Sequence, residues 1–134
     1  MRGDSHVAYR PGDLDHKAAL QGFFSMAEAW DLSTDEQMKL LGSPPRSTFF
    51  KWKKEGGQLS NDTVERISHL LNIYKSLRIL FTEQASADAW LKRANEAPMF
   101  AGKSAIDYLM STGSLIDLYK VRTYLDAQRG GWDE

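Results

Sequence analysis

The stretch STDEQMKLLGSPPRSTFFKWKK, residues 33–54, decides the fold. Ser33 and Glu36 stand three apart, the spacing of a capping box, in which the serine hydroxyl accepts from the amide three residues on and the glutamate reaches back. A short helix opens there with Met38, Leu40 and Leu41 as its apolar residues, and Gly42 stops it by supplying the positive φ that a tight turn needs. Ser43-Pro44-Pro45 is a hard break, because each proline turns its predecessor away from helical angles, and Pro45 suits the first helical position of the next element. That element runs from Arg46 to Lys54 and ends at Gly56-Gly57. Two short helices on a glycine turn, the second one basic, follow the helix-turn-helix plan.

On the second helix, Phe49 and Trp52 are three apart and share one face, which anchors the helix to its neighbours. At about 100° per residue, Ser47, Phe50, Lys51 and Lys54 fall on the opposite face. The candidate DNA-contacting set is therefore Arg46, Ser47, Thr48, Phe50, Lys51, Lys53 and Lys54. The lysines suit phosphates, Arg46 near the helix start suits the acceptor edge of guanine, and Phe50 suits a thymine methyl. The alternative is a merely solvated helix face, since surface lysines are common. The motif is also irregular, because the apolar residue usual just after the turn glycine is missing.

Outward from this element, every strong signal is helical. Leu20, Phe23, Phe24, Ala27 and Trp30 recur at three- and four-residue steps and predict a helix over about 15–30. Ser60-Asn61-Asp62 caps a long helix to about Phe81, with a stripe of Val64, Ile67, Leu70, Leu71, Tyr74, Leu77, Leu80 and Phe81. Ser86 is expected to cap a helix carrying Trp90 and Leu91 that ends at Asn95. Ser104, with Asp107 three residues on, caps another through Leu109 that Gly113 closes. A last helix from about Ser114 holds Leu115, Leu118, Val121, Tyr124 and Leu125, and is expected to fail at Gly130-Gly131. The fold class is all-α: a flexible arm over 1–14, a helix-turn-helix bundle over 15–81 and a small helical domain over 82–134 ending in a Gly-Gly-Trp tail.

Charge is unevenly spread. The net charge is −1, yet residues 33–81 hold eight basic groups against five acidic, while both flanks are net negative. Polyanion contact therefore belongs to the middle third, at modest strength, which favours a dimer reading two half-sites. Leu77, Ile79, Leu80 and Phe81 are a candidate dimer interface, with core packing an equal explanation. The absence of cysteine removes disulfides and thiolate chemistry and fits a reducing cytoplasm. No apolar run reaches the roughly 18 residues of a membrane span, and the first residues lack the apolar core of a secretion signal. His6, His16 and His69 stand apart from any second ligand at metal spacing, and there is no phosphate loop or nucleophile elbow. The expectation is a cytoplasmic protein with no catalytic residue, no metal and no cofactor.

The last third exceeds what a plain repressor needs, because Trp132 lies beyond a Gly-Gly pair. Burying it on a partner would offset the entropy of ordering that tail. Taken alone, the segment is equally a helical pair completing the core, and the whole chain can be a stand-alone dimeric regulator whose C-terminal half only dimerises. In combination, however, the chain resembles the Xre-like antitoxins paired with RES-domain toxins, the Xre/MbcA/ParS toxin-binding family. The resemblance covers about residues 15–132. It rests on Leu41-Gly42 before Thr48-Phe49-Phe50-Lys51-Trp52, on Ser60 with Glu65-Arg66-Ile67-Ser68-His69-Leu70-Leu71 and Tyr74, on Trp90-Leu91 before Asn95, on Gly102-x-Ser104, and on Tyr124-Leu125-Asp126 to Gly130-Gly131-Trp132. Ala105 departs from the proline frequent in that family.

The resemblance implies a toxin-neutralising protein and a cognate RES-domain toxin that consumes NAD or ADP-ribosylates a protein. It further implies that the antitoxin covers the toxin's active-site cleft, that a homodimer joins a larger complex, and that operator DNA is bound for autorepression. Carried over by position, the toxin-binding set is Arg122, Tyr124, Asp126, Arg129, Gly130, Gly131 and Trp132.

Overall fold

The computed structural model describes residues 15–131, so the predicted arm over 1–14 and Trp132 lie outside the described residues. Among the described residues seven α-helices follow in order: α1 (His16–Ala29), α2 (Thr34–Leu40), α3 (Arg46–Glu55), α4 (Asn61–Leu80), α5 (Gln84–Ala89), α6 (Ala105–Thr112) and α7 (Leu115–Gly131). The all-α expectation holds; an isolated antiparallel bridge between Ala94 and Ser104 is the one pairing of extended residues among those described.

Local chemistry sets most boundaries. The Ser33 hydroxyl accepts from the Glu36 amide at 3.1 Å and Glu36 Oε1 accepts from the Ser33 amide at 2.8 Å, which completes the capping box of α2. Behind α2, the amides of Gly42 and Ser43 donate back to Lys39 and Met38, so the last carbonyls find partners in a Schellman turn. Both Gly42 (φ 95°) and Ser43 (φ 59°) are left-handed, which is how the turn accommodates two prolines before α3. Pro45 sits one place earlier than expected. It is extended (ψ 147°) and precedes the first turn of α3. Ser60 and Ser104 cap α4 and α6 through the amides of Thr63 and Asp107, and Gly113 (φ 68°) closes α6.

Three further boundaries differ from expectation. The helix carrying Trp90 starts at Gln84 behind Glu83, with Ser86 inside it, tightens to a 3₁₀ turn over Trp90–Lys92, and gives way to extended chain at Arg93 rather than at Asn95. At the other end, α7 does not fail at Gly130 and continues through Gly131. A helical glycine costs only about 1 kcal/mol relative to alanine, which weakens a helix without ending it.

One core runs through the chain. α4 lies at its centre, with α1 on one side and α7 on the other. Phe23, Trp30, Phe49, Ile67, Leu70 and Leu77 pack with Leu91, Phe100, Leu118, Val121 and Leu125, all at or near full burial. The expected stripe on α4 accounts for half of this helix. Its second buried face is mostly polar: Arg66, His69 and Ser76, with Ile73 among them. That face carries α7, which runs parallel to α4: Gly113 meets Arg66, Arg122 meets His69, and Asp126 and Arg129 meet Ser76.

Candidate functional sites

The first candidate site is the outer face of α3. Phe49 is fully buried, T-shaped against Phe24 of α1, and Trp52 is 9% exposed, so the two hold the helix by the face the spacing assigned. Arg46, Ser47, Phe50, Lys51, Lys53 and Lys54 are exposed, and Thr48 is half-buried. Lys53 leans toward α1, with Nζ 5.9 Å from the centre of the Phe24 ring. Its neighbourhood is a groove of about 890 Å³ between α1 and the end of α3, in which Lys17, Lys53 and Lys54 face Glu28, Asp31 and Glu55. Its three lysines are matched by three carboxylates, so the groove carries no excess of positive charge. The basic face proper is Arg46, Lys51 and Lys54.

The second candidate site is α7. Tyr124 is half-buried, edge-on to Phe100 at 5.5 Å, and borders a shallow hollow with Met99, Tyr108, Lys120 and Thr123. Arg122, Asp126 and Arg129 turn toward α4. Arg129 donates to the Ser76 hydroxyl at 3.3 Å and lies 3.9 Å from Asp126, which also lies 3.8 Å from Arg122. These ion pairs are more than a third exposed and contribute little stability. Their effect is placement, since they hold three charged side chains along the seam with α4. Gly130 is exposed, and a Cβ built on it meets nothing within 4 Å among the described residues. Periodicity gave no weight to Ile116 and Tyr119, which are 65% and 55% exposed on the same helix, Tyr119 at the outer edge of the seam with α4. Their signal was available: with Leu118, Val121 and Leu125 facing the core, residues 116 and 119 have to face away from it.

His69 marks the middle of the seam. It is 6% exposed, its Nδ1 lies 3.2 Å from Arg122 Nη1, its Nε2 lies 3.7 Å from Glu65, and Tyr119 stands edge-on at 5.8 Å. Burial pushes its pKa below the ordinary 6.5, the Arg122 guanidinium pushes the same way, and Glu65 opposes both. The folded chain therefore binds fewer protons than the unfolded one just below pH 6.5. Stability is expected to fall as pH drops from about 6.5 toward the depressed folded value. Thermal unfolding at pH 7.5 and pH 5.5 tests this against His69→Gln, whose midpoint should fall less than that of the parent; equal falls exclude the effect. His16 has a different structural duty, accepting the Leu59 amide at Nδ1 (3.1 Å). No described group of three or more His, Cys, Asp or Glu is arranged to hold a metal, and no described helix is long and apolar enough to cross a membrane.

Comparison with known proteins finds two family models that match the chain in succession. Residues 13–72 match the antitoxin Xre-like helix-turn-helix domain, and residues 76–131 match the antitoxin Xre/MbcA/ParS C-terminal toxin-binding domain. The chain is also 59% identical over 114 residues to a Sinorhizobium fredii protein described as uncharacterized protein y4oB, a match that spans 85% of this chain and 86% of that one. The first domain match contains α1, α2 and α3, the second contains α5, α6 and α7, and the central α4 is shared between them. A helix-turn-helix and a toxin-binding domain joined on one helix make this chain an antitoxin of the Xre/MbcA/ParS family.

Proposed function

We propose that this antitoxin neutralises a RES-domain toxin, one that consumes NAD or ADP-ribosylates a protein, by laying α7 and the residues after it over the toxin's active-site cleft. In the same proposal, a homodimer represses its own operon through the outer face of α3. The division of labour assigns residues 15–81 to DNA reading and dimerisation, and 82–134 to the toxin.

The observation that carries the toxin half is the exposed apolar pair of α7. Ile116 is 65% exposed and Tyr119, edge-on to His69 at the rim of the seam, is 55% exposed, while Arg122 and Arg129 reach toward α4, so the helix presents an apolar pair beside a charged edge. An apolar pair beside a polar seam suits a partner that buries the first and meets the second at its edge. Gly130 supports the same reading. No described atom lies within 4 Å of where its Cβ would be, so packing among the described residues does not require glycine there, and its small size leaves room for a partner to approach the backbone closely. Arg122, Tyr124, Asp126, Arg129, Gly130, Gly131 and Trp132 remain the proposed contact set, now extended by Ile116 and Tyr119.

The test is co-expression with the product of the neighbouring reading frame. Co-purification of the two chains and suppression of cellular NAD loss or protein ADP-ribosylation are the expected results. A partner that affects neither overturns the RES assignment. Ile116→Asp with Tyr119→Asp, and separately deletion of Gly130 to Glu134, should each leave the helical signal intact and abolish rescue of toxin-expressing cells. Full rescue by both variants overturns the α7 surface.

A further inference from the structure

We propose that Arg46 and Phe50 act as one reader of a two-base-pair step, with the guanidinium on a guanine and the phenyl ring on the methyl of a thymine in the adjoining pair. This rests on the proposed DNA-reading role of α3 and names what that face selects. The starting observation is that Phe50 is 44% exposed on a helix whose other outward residues include Ser47, Lys51 and Lys54. Its ring is not free to roam. Phe49, fully buried, meets it edge-on at 5.1 Å and 81°, so the core buttresses an aromatic group that stands in solvent. The other fixed neighbour is Arg46, one turn earlier, whose Cζ lies 5.5 Å from the ring centre.

That stacking has a geometric consequence. A guanidinium lying against an aromatic face keeps its in-plane N–H groups available, and two of them match the O6 and N7 acceptors of guanine. Its present polar partners are weak and replaceable: Asp35 at 3.8 Å, itself 92% exposed, and Met38 Sδ at 3.9 Å. Cation and ring centre are 5.5 Å apart, under two rises of about 3.4 Å per pair, and the proposal accordingly places the bases they meet in adjoining pairs. A lone arginine would report one guanine wherever it fell. The stacked pair reports guanine and thymine together, and truncating the ring also releases the arginine from its set orientation. Lys51 and Lys54 contribute phosphate attraction that is the same for every sequence.

Selection from a randomised duplex pool by the full chain at fixed salt tests this. Binding is then measured on the selected duplex, on the same duplex with uracil for the thymine (removing only the methyl), and with 7-deazaguanine for the guanine (removing N7). The expected result is an enriched half-site containing adjoining T and G, roughly tenfold weaker binding for each base analogue, and a Phe50→Ala protein that no longer distinguishes thymine from uracil and has lost part of its preference for guanine. Phe50→Leu keeps an apolar contact without the aromatic platform, so it should retain thymine preference and lose the coupling to guanine. Equal thymine discrimination by Phe50→Ala and the parent overturns the inference. Enrichment of sites lacking an adjoining T and G overturns it too, while leaving DNA reading by α3 in place. Failure to enrich any sequence overturns the DNA-reading role together with this inference.

Discussion

Arg66→Met is expected to destabilise the chain by on the order of 3 kcal/mol, lowering the unfolding midpoint by about 10 °C. Arg66 is only 9% exposed, and its side chain spans three elements: Nε donates to Asp62 at 2.8 Å, and Nη1 donates to the Gly113 carbonyl at 2.7 Å and to the Leu40 carbonyl at 3.4 Å. The two carbonyls end α6 and α2, where the last C=O groups of a helix lack intrahelical partners and carry the negative end of the dipole. Methionine fills the space but leaves both acceptors without the charged donor. The Asp62 pair adds little to the loss, since that carboxylate is 54% exposed. Gly42 helps seat the group: a Cβ there would meet Arg66 Nε at 3.1 Å. Urea or thermal unfolding measures the loss, and a midpoint within about 2 °C of the parent shows that the clamp is not needed. Because the side chain ties α2 to α6, co-purification with the toxin and DNA binding should both decline at elevated temperature, unlike in a variant confined to one surface.

This clamp also shows what was legible in the sequence. The caps at Ser33, Ser60 and Ser104 and the stops at Gly42 and Gly113 were legible because each is settled within four residues by hydrogen bonding or by φ. So was the buried face of α3, from Phe49 and Trp52. The second face of α4 was hidden, because an apolar periodicity does not register Arg66, His69 and Ser76 as interior residues, and their burial depends on partners some fifty residues away. For the same reason, nothing in the apolar pattern placed Arg122, Asp126 and Arg129, assigned to toxin binding by resemblance, along the seam with α4. The start at Gln84 was missed because Ser86 is a good cap residue, whereas Glu83 occupies the N-cap without a side-chain bond.

Lys51→Glu combined with Lys54→Glu is expected to reduce operator affinity on the order of a hundredfold at 0.1–0.15 M salt, and to leave toxin neutralisation unchanged. Both side chains are exposed on the outer face of α3, so their loss removes no packing. Each reversal takes a cation away from a phosphate and adds repulsion, and removing two such cations should flatten the plot of log affinity against log salt by about 1.8. The change at residue 54 also places an anion in the last turn of α3, at a cost of about 0.3–1 kcal/mol. That is too small to unfold a helix anchored by Phe49 and Trp52. The separation from neutralisation follows from the architecture: α3 packs on α1, α7 packs on the opposite side of α4, and no α3 residue takes part in the hydrogen bonds that cross the α4–α7 seam from Arg66, His69 and Ser76 to the Gly113 carbonyl, Arg122, Asp126 and Arg129. Gel-shift titrations across salt and rescue of toxin-expressing cells read the two functions independently. Loss of both functions in a variant with an unchanged unfolding midpoint overturns the two-surface division. Unchanged DNA affinity overturns the assignment of DNA contact to this face of α3.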